Sequence, residues 1–233
     1  MKDFIHKEFP KSVGRNEFWK QIKRTVNGEP VSQSHIDQIV EIIRHKLKLE
    51  PNDNLLDLGC GNAALASYLF SDLNKYHGVD FSDYLLSVAK ENFYVSGKTT
   101  YQNLNLREDY KSIKGIHSYN KVLIYGTFSY LGKTAGTGLL RHLCAVETVR
   151  DIFIGNIPDI EQAPEFFEAR AIKDYLLDDE HSAIGVWWDF RELQNIFEKE
   201  GLTVRKSKMP PSFYASHYRF DLLASKCQGT AQS

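Results

Sequence analysis

Hydrophobic positions along the chain recur in two alternating rhythms. Ile36, Ile39, Val40, Ile43 and Leu47 fall at three- and four-residue steps, the spacing of one face of an amphipathic helix. Ser34 reads as its N-cap with Asp37 in the first turn, and Pro51-Asn52-Asp53 closes it as a turn. Asn54–Leu58 then reads as a short apolar strand running into Gly59-Cys60-Gly61. A helix over 63–73 and a strand over 76–80 follow. Next come a helix over 82–95, capped by Ser82, and a strand at Thr99–Asn103. A strand at Lys121–Tyr125, a helix over 136–149 and a strand over 151–156 continue the series. Strands alternating with helices predict crossover units, hence an α/β fold with a mostly parallel sheet and helices on both faces.

The rhythm changes after residue 156. Residues 157–187 make a connection far longer than the usual two to six residues, with a helix expected over 163–177. Phe190, Leu193, Ile196 and Phe197 give another amphipathic helix, stopped by Gly201. Strands at Leu202–Ser207 and over 218–224 close the chain as an antiparallel hairpin. The expected organisation is an N-terminal cap over 1–33, a domain over 34–225 with a substrate lid at about 157–187, and a flexible tail over 226–233.

Composition narrows the class of partner. The 233 residues suffice for one α/β domain with an elaboration. Lys+Arg number 29 against 30 Asp+Glu, so the chain lacks the basic footprint of a general nucleic-acid binder. No apolar run approaches the roughly 20 residues that span a bilayer, and the first residues lack a secretory signal's apolar stretch. Cys60, Cys144 and Cys227 are widely spaced, which suits a reduced, cytoplasmic setting.

The chemistry concentrates in Leu55-Leu56-Asp57-Leu58-Gly59-Cys60-Gly61-Asn62-Ala63-Ala64, where a strand meets the next element. Glycines there let the backbone turn sharply and approach a ligand. Asp80, ending the next strand 19 residues after Gly61, is placed to take both hydroxyls of a ribose. Asp57, two residues before Gly59, would repel a pyrophosphate yet suits an amino-acid ammonium. That charge argument favours S-adenosylmethionine over NAD.

These residues resemble the class I S-adenosylmethionine-dependent methyltransferases. LLDLGCGNAALA is similar to the family's first motif, HGVDFS to its acidic second motif and QNLN to its third, over roughly residues 34–156 and 186–224. The resemblance implies a Rossmann-like, seven-stranded sheet ending in an antiparallel strand. It also implies that Gly59, Cys60 and Gly61 pass under the methionine part of the cofactor, with Asp57 beside them. By the same resemblance Asp80 binds the ribose, Phe81 packs on adenine, and Asn103 with the Leu104 amide faces the adenine amine. Two positions depart from the family pattern: Ala63 replaces a third glycine, and Asn103 replaces an aspartate.

The acceptor is less legible. Residues 125–130 lack the Asn/Asp-Pro-Pro-Tyr/Phe signature of base and amide methylases, which argues against DNA. Tyr125 is expected on both the cofactor and the catalytic side. Asp151 and Asn156 have no third ligand, so no metal is expected. His181 in the long connection and His217 beside Tyr214 and Tyr218 are the candidate general bases; His6, His35, His45 and His77 read as solvated. One tryptophan of Trp187-Trp188 is expected to face the pocket, and Arg24 to reach the cofactor carboxylate. RTVNGEP and YRFDLLAS loosely resemble methyltransferases of surface-polysaccharide and modified-sugar synthesis. The expected activity is methylation of a small or carbohydrate-like acceptor, at a hydroxyl, by a monomer or homodimer that leaves S-adenosylhomocysteine. The alternatives are a protein or RNA methyltransferase and a non-catalytic cofactor-binding subunit.

Overall fold

Ser32, and not Ser34, caps the first helix, α1 (Gln33–Leu47): its Oγ accepts the His35 amide at 3.3 Å. Val31, just before the cap, is buried in the same cluster as Ile36 in the first turn, and this hydrophobic staple sets the start two residues earlier. The structure, a computed structural model, describes residues 4–226. The tail expected over 226–233 therefore lies outside the described residues, apart from Lys226.

Seven strands build the central sheet: β1 (Asn54–Leu58), β2 (Lys75–Asp80), β3 (Thr99–Asn103), β4 (Lys121–Tyr125), β5 (Asp151–Pro158), β6 (Leu202–Ser207) and β7 (Arg219–Lys226). Their order is β3-β2-β1-β4-β5-β7-β6. Neighbours from β3 to β5 pair in parallel, while β7 runs antiparallel to both β5 and β6. This is the Rossmann-like class I methyltransferase architecture that the sequence implies. Beside α1 it carries α2 (Asp83–Asn92), α3 (Lys133–Ala145) and α4 (Phe190–Lys199).

Both faces of the sheet are covered, so the strands are continuously apolar. Leu56, Leu58, Val122, Ile124, Ile152 and Ile154 point to the α3–α4 side; Leu55, Leu123, Tyr125 and Phe153 point to the α1 side. Truncating the fully buried Ile124 to alanine is expected to cost about 2–5 kcal/mol, read as a lower denaturant midpoint at unchanged slope.

Two expected helices are corrected. Residues 63–73 do not form an α-helix; turns lead into a 3₁₀ segment at Ala66–Asp72. Ala63 is left-handed, at φ +60°, and Asn62 is drawn aside to donate to the Phe18 carbonyl and to Gln21 Oε1. The helix expected over 163–177 ends at Glu168. Ala171 turns left-handed, and the Ile172 amide closes back on the Phe167 carbonyl at 3.0 Å, a Schellman-type stop.

His77 is also corrected: it is buried on β2, between Thr100 Oγ1 at 2.8 Å and Gln102 Oε1 at 3.3 Å. Trp187 and Trp188 point apart into two cores. Trp188 packs on Phe128, and Trp187 on Phe166 and Phe167, so neither lines the main cavity.

Candidate active site

Strand order reverses between β1 and β4, so the loops after these strands diverge and leave a crevice at the carboxyl edge of the sheet. A cavity of about 480 Å³ occupies it. Its floor is the turn after β1. Gly59 sits at φ +81°, with its amide on the Val79 carbonyl at 2.7 Å, and the Thr127 side chain fills the place of a β-carbon. Thr127 Oγ1 donates to the Gly59 carbonyl at 3.2 Å and so fastens the turn after β4 to the turn after β1.

Two buried carboxylates flank this turn. Asp80 accepts the Gly61 amide on Oδ2 and the Ser82 amide on Oδ1, each at 2.9 Å, which locks its plane toward the cavity. Burial pushes its carboxyl up to about 6, against the pull of those amides. Asp57 accepts the Tyr76 hydroxyl at 2.8 Å. Burial pushes it up to about 7; the Tyr76 hydrogen bond opposes, the charge of Asp80 adds, and Arg24 opposes. Carboxyls so perturbed in a cleft are poised for a cationic or hydroxyl-rich ligand.

The N-terminal segment closes one side. Gln21 donates to the Gly14 and Arg15 carbonyls, and Asn62 donates to Gln21, which pins the segment over the glycine turn. Lys23, left-handed, turns Arg24 inward, and the Arg24 amide bonds the Trp19 carbonyl at 2.8 Å. The Arg24 guanidinium lies 4.9 Å over the Tyr125 ring; its Nε and Nη1 are buried without an acceptor. Burial holds the Tyr125 hydroxyl well above the ordinary phenol range, and that hydroxyl also lacks a partner. The connection after β5 closes the other side: Glu180, His181, Ala183 and Ile184 line the cavity. The Val186 amide on the Ser129 carbonyl at 2.7 Å and the Tyr130 hydroxyl on the Ala183 carbonyl at 2.9 Å latch it down.

Two buried carboxylates and a guanidinium with two unpartnered nitrogens stand around a glycine turn, a set that fits an amino-acid nucleoside. Residues 56–129 match the family described as a methyltransferase domain. The chain is an S-adenosylmethionine-dependent methyltransferase. The structure of magnesium protoporphyrin IX methyltransferase from Synechocystis PCC 6803 with bound S-adenosylhomocysteine is similar at TM-score 0.62 and 16% identity, covering 83% of each chain. The methyltransferase domain of bacterial CtHen1 is similar at TM-score 0.60 and 17% identity, covering 82% of this chain and 99% of that one. Haemonchus contortus phosphoethanolamine N-methyltransferase 2 with S-adenosylmethionine gives 0.63 and 15%, covering 97% of this chain and 60% of that one. At such identities the likeness is one of fold. No curated protein is significantly similar to the sequence.

The methyltransferase brings Arg24, Asp57, Gly59, Cys60, Gly61, Asp80, Phe81, Leu104, Tyr125 and His181 around one cavity. Asn103 and His217 lie outside its lining and are exposed. Asn103 Nδ2 donates to the Phe81 carbonyl, which leaves its Oδ1 as the acceptor, and the Leu104 amide is engaged by the Asp80 carbonyl at 3.0 Å. His6, read as solvated, lines the cavity, with its ring 4.2 Å from that of Tyr130. Asn156, Arg219, Tyr130, Tyr214 and Tyr218 complete the wall. Arg219 is the residue that sequence reasoning missed. The only signal was a charged residue opening an apolar strand. Among the described residues no cluster of three or more His, Cys, Asp or Glu gathers as for a metal, and no helix is long and apolar enough to cross a membrane.

Proposed function

We propose that the enzyme methylates a small-molecule or carbohydrate-like acceptor at a hydroxyl oxygen. The observation that carries this reading is the closure of the cavity from both sides, by Ile22–Thr25 and by the 180–184 segment, which leaves room for a small acceptor rather than a groove for a polymer. The two segments whose wording resembles sugar-modifying enzymes, RTVNGEP and YRFDLLAS, deliver Arg24 and Arg219 to this cavity, in keeping with an acceptor of that class.

When bound, S-adenosylmethionine supplies a methyl on a cationic sulfur for in-line displacement. Asp80 takes the ribose hydroxyls, Phe81 the adenine face, Asp57 the ammonium and Arg24 the carboxylate, over the Gly59–Gly61 turn. Tyr125, held neutral by burial, serves as a wall between cofactor and acceptor and not as a base. His181 takes the acceptor proton. Arg107 Nη1 lies 3.4 Å from its Nδ1, and Glu180 Oε1 lies 3.6 Å from its Nε2.

The test is calorimetry of S-adenosylhomocysteine binding, followed by transfer of labelled methyl to a panel of small hydroxylated acceptors. Asp80→Asn is expected to weaken binding about thirtyfold, the equivalent of about 2 kcal/mol for a charge-assisted pair of hydrogen bonds. Wild-type affinity in this variant, or no binding by the wild type, overturns the assignment. His181→Ala is expected to lower kcat about tenfold, short of the 10²–10⁴ of an enclosed base because water also reaches the exposed ring. His217→Ala, outside the cavity, should stay within about twofold of the wild-type rate. Equal rates for all three proteins would remove His181 as the base.

A further inference from the structure

We infer that the acceptor carries an oxyanion, a carboxylate or a phosphate, and that Arg219 receives it. This deepens the methyltransferase reading above and rests on it. Arg219 opens β7 and is only 9% exposed, yet it lines the cavity. Its Nη1 donates to the Asn156 carbonyl at 2.5 Å, while its buried Nε meets no acceptor. Among the described residues no carboxylate forms an ion pair with it. Asp221, on the same face of β7, turns Oδ1 to the Asn156 amide at 2.8 Å instead. Glu180, another carboxylate of the lining, lies beside His181.

Phenols surround the guanidinium: it sits 4.8 Å over the Tyr218 ring, with Tyr130 and Tyr214 in the same wall. Neutral hydroxyls do not neutralise a cation, and an unpaired buried charge is among the costliest features a fold carries. A guanidinium whose Nε edge lacks a partner keeps the pair of donors that binds carboxylate or phosphate side-on.

The strand order argues for an anion other than the cofactor's. Arg24 stands over Tyr125 on β4, two strands from Asp80 on β2. Arg219 is on β7, four strands from β2, roughly 19 Å at the usual strand spacing. A cofactor with its ribose at Asp80 and its ammonium at Asp57 ends at Arg24. The space over β5 and β7 is left for the acceptor, and the tyrosines there suit a ring that carries the anion.

The experiment titrates benzoate, phenyl phosphate and the neutral control benzyl alcohol into the full chain, with and without saturating S-adenosylhomocysteine. The readout is the Nε resonance of Arg219 in ¹⁵N-arginine-labelled protein, assigned by its loss in Arg219→Lys. At least one anion is expected to shift that resonance and to bind tenfold or more tightly than benzyl alcohol. A response to benzoate alone identifies a carboxylate, and to phenyl phosphate alone a phosphate. Arg219→Gln should erase the preference and Arg219→Lys keep part of it, both holding S-adenosylhomocysteine within twofold of wild type. No shift with either anion, equal binding of the alcohol, or a preference that survives in Arg219→Gln overturns the proposal. A tenfold loss of S-adenosylhomocysteine affinity in both variants also overturns it, because Arg219 would then serve the cofactor. If Arg219→Gln does not fold, the wild-type titration and Arg219→Lys decide. If the wild type binds no S-adenosylhomocysteine, the methyltransferase reading fails, while the titrations without it still decide the fate of Arg219.

Discussion

Gly59→Ala is expected to abolish measurable S-adenosylhomocysteine binding, a loss of at least about a hundredfold. Two costs coincide at this position. The backbone is left-handed at φ +81°, where an alanine is strained, and a β-carbon would overlap the Thr127 side chain. Relieving the overlap requires the turn after β1 to part from the turn after β4. That movement breaks the Thr127–Gly59 hydrogen bond and displaces the Gly61 amide that orients Asp80. A shift of about 1 Å in such a floor is enough to cost about two orders of magnitude in alignment. Strain and overlap together should lower stability by about 3 kcal/mol, a fall in Tm of roughly 6–12 °C for a chain of this size. The double variant Gly59→Ala with Thr127→Gly removes the overlap and keeps the backbone strain, so it should recover part of both losses. Wild-type affinity in Gly59→Ala would show that the turn does not floor the cofactor site.

The glycine turn and its two carboxylates were legible because local rules fix them. Asp57, Gly59, Gly61 and Asp80 lie at strand ends whose positions follow from alternation and turn chemistry, and β1, β3, β4 and β6 have the expected bounds. Legibility failed where tertiary contacts override local preference. Residues 63–73 have a helical composition, but Asn62 is held by the N-terminal segment, more than forty positions earlier in sequence. Arg219 looks like an ordinary surface charge in sequence. Only folding brings it to the antiparallel strand beside β5. His181 and His217 were equally plausible bases for the same reason: nothing local tells which loop end faces the cavity.

Cofactor affinity is expected to fall by at least about a hundredfold between pH 7.5 and pH 5, and Asp57 is the main reason. In the free enzyme burial raises its carboxyl to about 7, and Asp80, up to about 6, adds a second step. The groups facing Asp57 are Tyr76, Asp80, Cys60, Tyr101 and Arg24, and only Arg24 brings positive charge. An ammonium ligand requires the ionised carboxylate, so each pH unit below 7 costs about tenfold in affinity. Binding near pH 6 should release close to one proton, read by calorimetry in buffers of different ionisation enthalpy. Asp57→Asn should flatten the profile and remove the proton release. Folding responds with the opposite sign. Because Asp57 binds its proton more tightly folded than unfolded, its contribution to stability is complete below about pH 4 and is lost as pH rises toward 7. The same acidification that expels the cofactor therefore strengthens this part of the fold. Loss of binding at pH 5 with an undiminished contribution of Asp57 to the melting temperature, measured against Asp57→Asn, would separate titration of the site from acid unfolding. A flat affinity profile in the wild type would show instead that Asp57 does not meet the ammonium.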